Sequence, residues 1–241
     1  MMRLLLITND YPPKPGGIQQ YLGNVIGVYP DEWHVIAPAD SAAEFDERVS
    51  RHHSSFMWPT PQVGAWIQDR AAAFGPDVIL FGAPHPLPYV GPALREQLGV
   101  PYGVLSHGAE VTLPAAAPGM RQAVAKALRD ADVRFAVSDF TAGRVERLTG
   151  KDVVFVGAGV DIDTFTPPPN GDNMVPVVGC VSRFVPRKGQ HRLIEAASRL
   201  PFPVEDLLVG TGRTEGSLRR LANKLGVLTR FAVDVPWSDL P

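Results

Sequence analysis

One cysteine, Cys180, in 241 residues leaves no partner for an intramolecular disulfide and fits a reducing compartment. Long apolar runs are missing as well. Met1-Met2-Arg3-Leu4-Leu5-Leu6-Ile7-Thr8 gives way to polar Asn9-Asp10, too short a run to be read as a signal peptide or a membrane span. Neither charge sign dominates: Lys+Arg 23 against Asp+Glu 25 gives −2, which argues against a surface devoted to nucleic acid. The histidines other than His107 (His34, His52, His53, His85, His191) show no H-x-x-x-H and no cysteine partner, so no metal spacing is present. His52-His53 lies in a polar stretch and is expected at the surface. No solenoid-length repeat exists, and the first strand candidate is not followed by the dinucleotide fingerprint G-x-G-x-x-G, which weighs against an epimerase or dehydrogenase.

What is present is 45% apolar and 20% charged residues, ordinary for a globular protein of one large domain or two modest ones. Short, nearly continuous apolar runs predict strands at Arg3–Thr8, Trp33–Ala37, Asp77–Phe81, Tyr102–Ser106, Val133–Val137 and Asp152–Val156. Further runs follow at Val177–Ser182, Glu205–Val209 and Leu228–Val233. Such runs suit parallel strands buried on both faces. Between them fall helical stripes: Ile18, Tyr21, Leu22, Val25 and Ile26; Leu193, Ile194, Ala197 and Leu200; Leu218, Leu221, Ala222 and Leu225. The alternation predicts a doubly wound α/β architecture. Residues 161–174, with Pro167-Pro168-Pro169, read as a stiff linker between an N-terminal domain (1–160) and a C-terminal one (175–241). Charge divides there: residues 1–170 hold 13 basic and 18 acidic side chains (−5), residues 171–241 hold 10 and 7 (+3).

Four strand-to-helix loops carry candidate chemistry. After the first strand come Asn9-Asp10-Tyr11-Pro12-Pro13-Lys14-Pro15-Gly16-Gly17. Paired Gly16 and Gly17 at a helix start let an anion approach main-chain N–H groups; the alternative is a proline-stiffened turn with glycines for geometry alone. His107 follows a strand end, placed to hydrogen-bond a substrate, or else a structural strand-end histidine. Arg183 and Lys188 flank Phe184-Val185-Pro186-Arg187 between strand and helix. Two cations beside helix N–H groups are what a departing diphosphate requires, whereas a solvated charged face is the bland reading. Gly210 and Gly212 lie in a G-x-G-x-x-x-G turn with Asp234 downstream. That spacing misses the dehydrogenase pattern, and it suits close backbone approach to any phosphate or ribose.

In order, these loops resemble the retaining GT-B glycosyltransferases of family 4. The similarity is closest to the actinobacterial phosphatidylinositol mannosyltransferases that add a second mannose. It rests on Asn9-Asp10-Tyr11-Pro12-Pro13, on Gly16-Gly17-Ile18-Gln19 with Tyr21-Leu22, and on Ser182-Arg183 through Val185-Pro186-Arg187-Lys188-Gly189-Gln190. The resemblance implies two Rossmann-like domains with parallel sheets, the first binding the acceptor and the second a nucleotide-sugar, GDP-mannose or another. It implies that Arg183 and Lys188 hold the donor pyrophosphate and that His107 contacts the transferred sugar. Gly16 and Gly17 would bring N–H groups toward phosphate and acceptor, Gly210 and Gly212 would shape the nucleotide pocket, and main chain near Val235 would lie against the base. No metal and no resident cofactor are implied. The acceptor implied is a glycolipid, hence cytoplasmic work with peripheral contact at the inner face of the membrane; the oligomeric state is not indicated.

Family members also carry Glu-x7-Glu in the second domain, and no such pair follows residue 171 here. The second domain is therefore expected to be incomplete, with Leu228–Val235 as an uncovered edge strand and transfer by these residues alone poor. A donor other than GDP-mannose, or a non-catalytic sugar-nucleotide-binding module, are the alternative functions. Ser54-Ser55-Phe56-Met57-Trp58-Pro59 and Trp66 are either interfacial groups for a lipid acceptor or ordinary loop packing.

Overall fold

Leu4, Leu5, Leu6 and Ile7 form strand β1 (Leu4–Ile7), and all four are buried. Alternate side chains feed opposite faces of a sheet covered on both sides. Leu5 and Ile7 pack with Ile67 and Ala71, while Leu4 and Leu6 pack with Leu22 and Ile26. The computed structural model describes residues 1–108, 111, 118–166, 175–236 and 239. The chain forms two compact units, Met1–Gly159 and Val160–Pro241. The triple proline of the expected linker, with the rest of 167–174, lies outside the described residues.

In the first unit β1 is joined by β2 (Trp33–Pro38), β3 (Val49–His52), β4 (Val78–Phe81), β5 (Tyr102–Ser106), β6 (Val133–Ala136) and β7 (Val154–Phe155). All run parallel in the order β3-β2-β1-β4-β5-β6-β7. The helices are α1 (Gly17–Gly27), α2 (Pro61–Phe74), α3 (Gly91–Leu98), α4 (Pro118–Asp130) and α5 (Asp139–Thr149). α1 supplies Leu22 and Ile26 to one face; α2 supplies Val63 and Ile67, and α4 supplies Val124 and Leu128, to the other. Leu22 and Ile67 are fully buried, each contributing about 1.5–3 kcal/mol over exposure. Leu4 aligns with Trp33 on one side and Val78 on the other, so strand order reverses at β1. The loops after β1 and β4 diverge there, at the carboxyl edge where open α/β sheets bind ligands.

One strand escaped the sequence pattern. β3 reads Val-Ser-Arg-His, with a single aliphatic residue, yet it pairs with β2 from Val35↔Val49 to Pro38↔His52. Contrary to expectation His52 is buried, at 6% exposure. Its ring meets Trp66 edge-on at 5.0 Å, and its Nδ1 accepts the Ser54 N–H at 3.1 Å. Pairing buried a histidine that polarity alone placed outside; His53 stays exposed.

The second unit holds β8 (Val177–Val181), β9 (Glu205–Val209) and β10 (Leu228–Ala232), parallel in the order β10-β9-β8. Helices α6 (Gln190–Ala197) and α7 (Glu215–Leu225) share one cluster on one face: Phe184, Ile194, Leu208, Leu218 and Ala222. The stripe expected to reach Leu200 ends at Ala197, and Leu200 is exposed. Leu228 on β10 is open, as expected of an edge. β8 is an edge too, with Val177, Val178 and Val181 exposed, where its continuous apolar run suggested burial on both faces.

Candidate active site

The loop after β1 is held by polar side chains. Asn9, buried, donates from Nδ2 to the Met57 carbonyl at 3.1 Å and accepts the Met57 N–H on Oδ1 at 2.8 Å. The Asp10 N–H donates to Thr8 Oγ1 at 2.9 Å, and Gln19, buried on α1, donates to Asp10 Oδ1 at 2.6 Å. Arg51 on β3 donates to the carbonyls of Pro12 at 2.6 Å and Pro38 at 3.1 Å. Gln19 lies in the Gly16-Gly17-Ile18-Gln19 motif without standing out there as a site residue, and Arg51 sits in a strand that the sequence pattern does not reveal.

Gly16 sits at φ 157, and a β-carbon there would fall 2.2 Å from Gln19 Oε1, so the Asp10–Gln19 bond leaves it no room for a side chain. A β-carbon on Gly17 would meet nothing within 4 Å. No side chain caps α1, which leaves its first-turn N–H groups facing the loop, where an anion is favoured.

His107 follows β5. Its Nε2 lies 3.0 Å from the Gly82 carbonyl, and Tyr21 meets the ring edge-on at 5.2 Å. A carbonyl only accepts, so the proton sits on Nε2. Tyr21 in turn donates to the Gly157 carbonyl at 3.0 Å, and burial raises its phenol pKa. Gly16, Gly17 and His107 thus share the carboxyl edge of the first sheet. The next residues of the motif, Ala109 and Glu110, lie outside the described residues.

The second unit gathers the other five candidates on the carboxyl edge of its own sheet. After β8 the chain passes through Arg183 and a 3-10 turn, Pro186–Lys188, into α6. Phe184, fully buried, plugs this loop into the core. Gln190, also buried, donates to Ser182 Oγ and to the Arg183 carbonyl, both at 3.0 Å. The loop after β9 zips onto it: the Phe184 N–H donates to the Thr211 carbonyl at 2.7 Å, and the Thr214 N–H to the Phe184 carbonyl at 3.2 Å. A β-carbon on Gly210 (φ 136) would fall 2.3 Å from the Ser182 oxygen, and one on Gly212 (φ 153) 2.4 Å from the Phe184 oxygen. These glycines admit the chain's own backbone. Val235, half-buried, follows Asp234, whose φ is +53.

Against that rigid rim Arg183 and Lys188 stand exposed. Among the described residues neither has a carboxylate partner, whereas Arg219 and Arg230 are paired with Glu215 and Glu205. Two cations beside the start of α6, with no ion pair among the described residues, can accept an anion there. No group of three potential metal ligands exists among the described residues, and no helix among them is long and apolar enough to cross a membrane.

Two parallel α/β units, each with its candidate residues at the carboxyl edge, define a Rossmann-like protein of the GT-B class. The chain belongs to glycosyltransferase family 4, whose family model matches residues 15–164. It is 36% identical to a GDP-mannose-dependent α-(1-6)-phosphatidylinositol monomannoside mannosyltransferase of Mycolicibacterium smegmatis, over 99% of this chain and 69% of that protein. It is 32% identical to the corresponding monoacylated-acceptor enzyme of Corynebacterium glutamicum, over 99% of this chain and 68% of that protein. Among solved structures, Anabaena HepE in complex with UDP shares the fold with a TM-score of 0.77 at 21% identity, over 99% of this chain and 71% of that one.

Proposed function

We propose that the chain binds GDP-mannose and serves a retaining mannosyltransferase reaction onto a phosphatidylinositol-mannoside-type glycolipid, working at a membrane surface. The observation that carries this reading is the pair Arg183 and Lys188, exposed and, among the described residues, without carboxylate partners, on a rim fixed by Phe184 and Gln190. The activities of the two mannosyltransferase relatives support the donor and acceptor class.

In the reaction the bond between mannose C1 and the diphosphate oxygen breaks, and an acceptor hydroxyl oxygen bonds to C1 from the same face. The hydroxyl proton passes to the departing diphosphate. Negative charge grows on that diphosphate as the bond stretches, so fixed cations and helix N–H groups stabilise the transition state more than the ground state. Arg183 and Lys188 take that role. His107, whose Nε2 proton is held by the Gly82 carbonyl, positions the sugar.

Calorimetric titration of the purified chain with GDP-mannose, UDP-glucose and NAD tests the donor. GDP-mannose is expected to bind tightest and NAD not at all. Tighter UDP-glucose binding replaces the donor assignment, and NAD binding overturns the transferase reading.

A further inference from the structure

Phe56 and Trp58 are large aromatic side chains held in water by construction. Two residues apart, they flank Met57 in the chain, and their rings lie side by side. Met57 is fully buried, whereas Phe56 is 38% and Trp58 55% exposed. The two Asn9 hydrogen bonds grip the Met57 backbone on both its N–H and its carbonyl. That grip fixes the backbone between the two rings, which lie 5.0 Å apart and tilted by 54°.

Their place matters. The segment leaves β3 at the carboxyl edge, and the Trp58 ring meets His85, which leaves β4 at the same edge, at 6.1 Å. The His85 loop begins at Gly82, whose carbonyl holds His107. His85 Nδ1 and the Tyr89 hydroxyl pair at 2.8 Å. Exposed aromatic carbon with polar atoms next to it thus stands on the same edge of the sheet as His107.

We infer that Trp58, with Phe56 beside it, is a stacking platform for a six-membered polyol ring of the acceptor head group. Such a ring has an apolar C–H face that lies on aromatic carbon and a rim of hydroxyls for His85 and Tyr89. The inference rests on the glycolipid acceptor proposed above. A neutral ring fits better than an anionic bilayer surface, because Ser54–Thr60 contains no lysine or arginine.

The test uses the full chain and the deacylated head group of phosphatidylinositol monomannoside as soluble probe, observed by saturation-transfer NMR. Trp58→Ala is expected to weaken binding about tenfold, and Trp58→Phe to recover most of it. Phe56→Ala should cause a smaller loss. GDP affinity and the unfolding midpoint should stay at wild-type values in all three, since both rings are exposed and lie in the first unit. Wild-type head-group affinity in Trp58→Ala overturns the platform. So does a defect seen only with phosphatidylinositol vesicles, which assigns the rings to the lipid surface. Nucleotide binding without head-group binding by the wild type removes the platform and leaves the donor reading. Trp58-dependent head-group binding without GDP-mannose binding does the reverse.

Discussion

The α-carbon of Gly210 faces the carbonyl oxygen of Ser182 so closely that a β-carbon there would lie 2.3 Å from it. The obstacle is backbone, tied by the Ser182 N–H to Val209 at 2.9 Å, so it cannot swing aside. Gly210→Ala is expected to cost about 1–3 kcal/mol, combining a side chain at positive φ with a main-chain clash. It should also separate the two loops of the rim and weaken nucleotide binding. Gly179→Ala on β8, where a β-carbon meets nothing within 4 Å, is the control and should change stability by less than about 1 kcal/mol. Thermal unfolding of both variants, followed by GDP titration, checks this.

Asp206 is fully buried on β9, and neither carboxylate oxygen has a hydrogen-bond partner among the described residues. Burial raises its pKa above the ordinary 3.8. Below that ordinary value the folded and unfolded chains both hold the proton, and the folded chain carries least penalty. Stability then falls as pH rises from 3.8 through the raised folded value and levels off above it. Asp206→Leu is expected to raise stability at pH 7 by about 1–3 kcal/mol, with the gain shrinking as pH falls below the folded value. Urea midpoints measured from pH 4 to 8 should show the two curves converging toward acid.

Asn9 offers Met57 a donor and an acceptor at once. Asn9→Asp keeps the size but turns a carboxylate oxygen toward the Met57 carbonyl, and is expected to cost about 2 kcal/mol. Asn9→Ala should cost a similar amount by leaving both Met57 groups unsatisfied. Both should speed hydrogen exchange at the Met57 amide more than at Ile79 in the strand core.

Much of this was legible in the sequence. Strands such as Leu4–Ile7 and Tyr102–Ser106 are largely apolar runs between turn formers, and parallel strands put every following loop on one edge. Position along the chain thus placed His107 and Gly16 at one rim and Arg183 and Gly210 at another. What escaped depends on long-range pairing. Val49–His52 becomes a strand only because β2 offers it an edge, and His52 is buried by that pairing. The work of Gly210 and Gly212 was invisible for the same reason: the atoms they accommodate lie some 28 residues away, which local pattern cannot register. The Asn9–Met57 clamp spans 48 positions.

The central claim is that Arg183 and Lys188 hold the donor's diphosphate. Calorimetry with GDP on the wild type, Arg183→Ala, Lys188→Ala and the double variant tests it at one low, fixed salt concentration. Each single substitution should weaken binding about tenfold and the double about a hundredfold, with unfolding midpoints unchanged because both side chains are exposed. GDP binding by the double variant equal to the wild type would contradict the account.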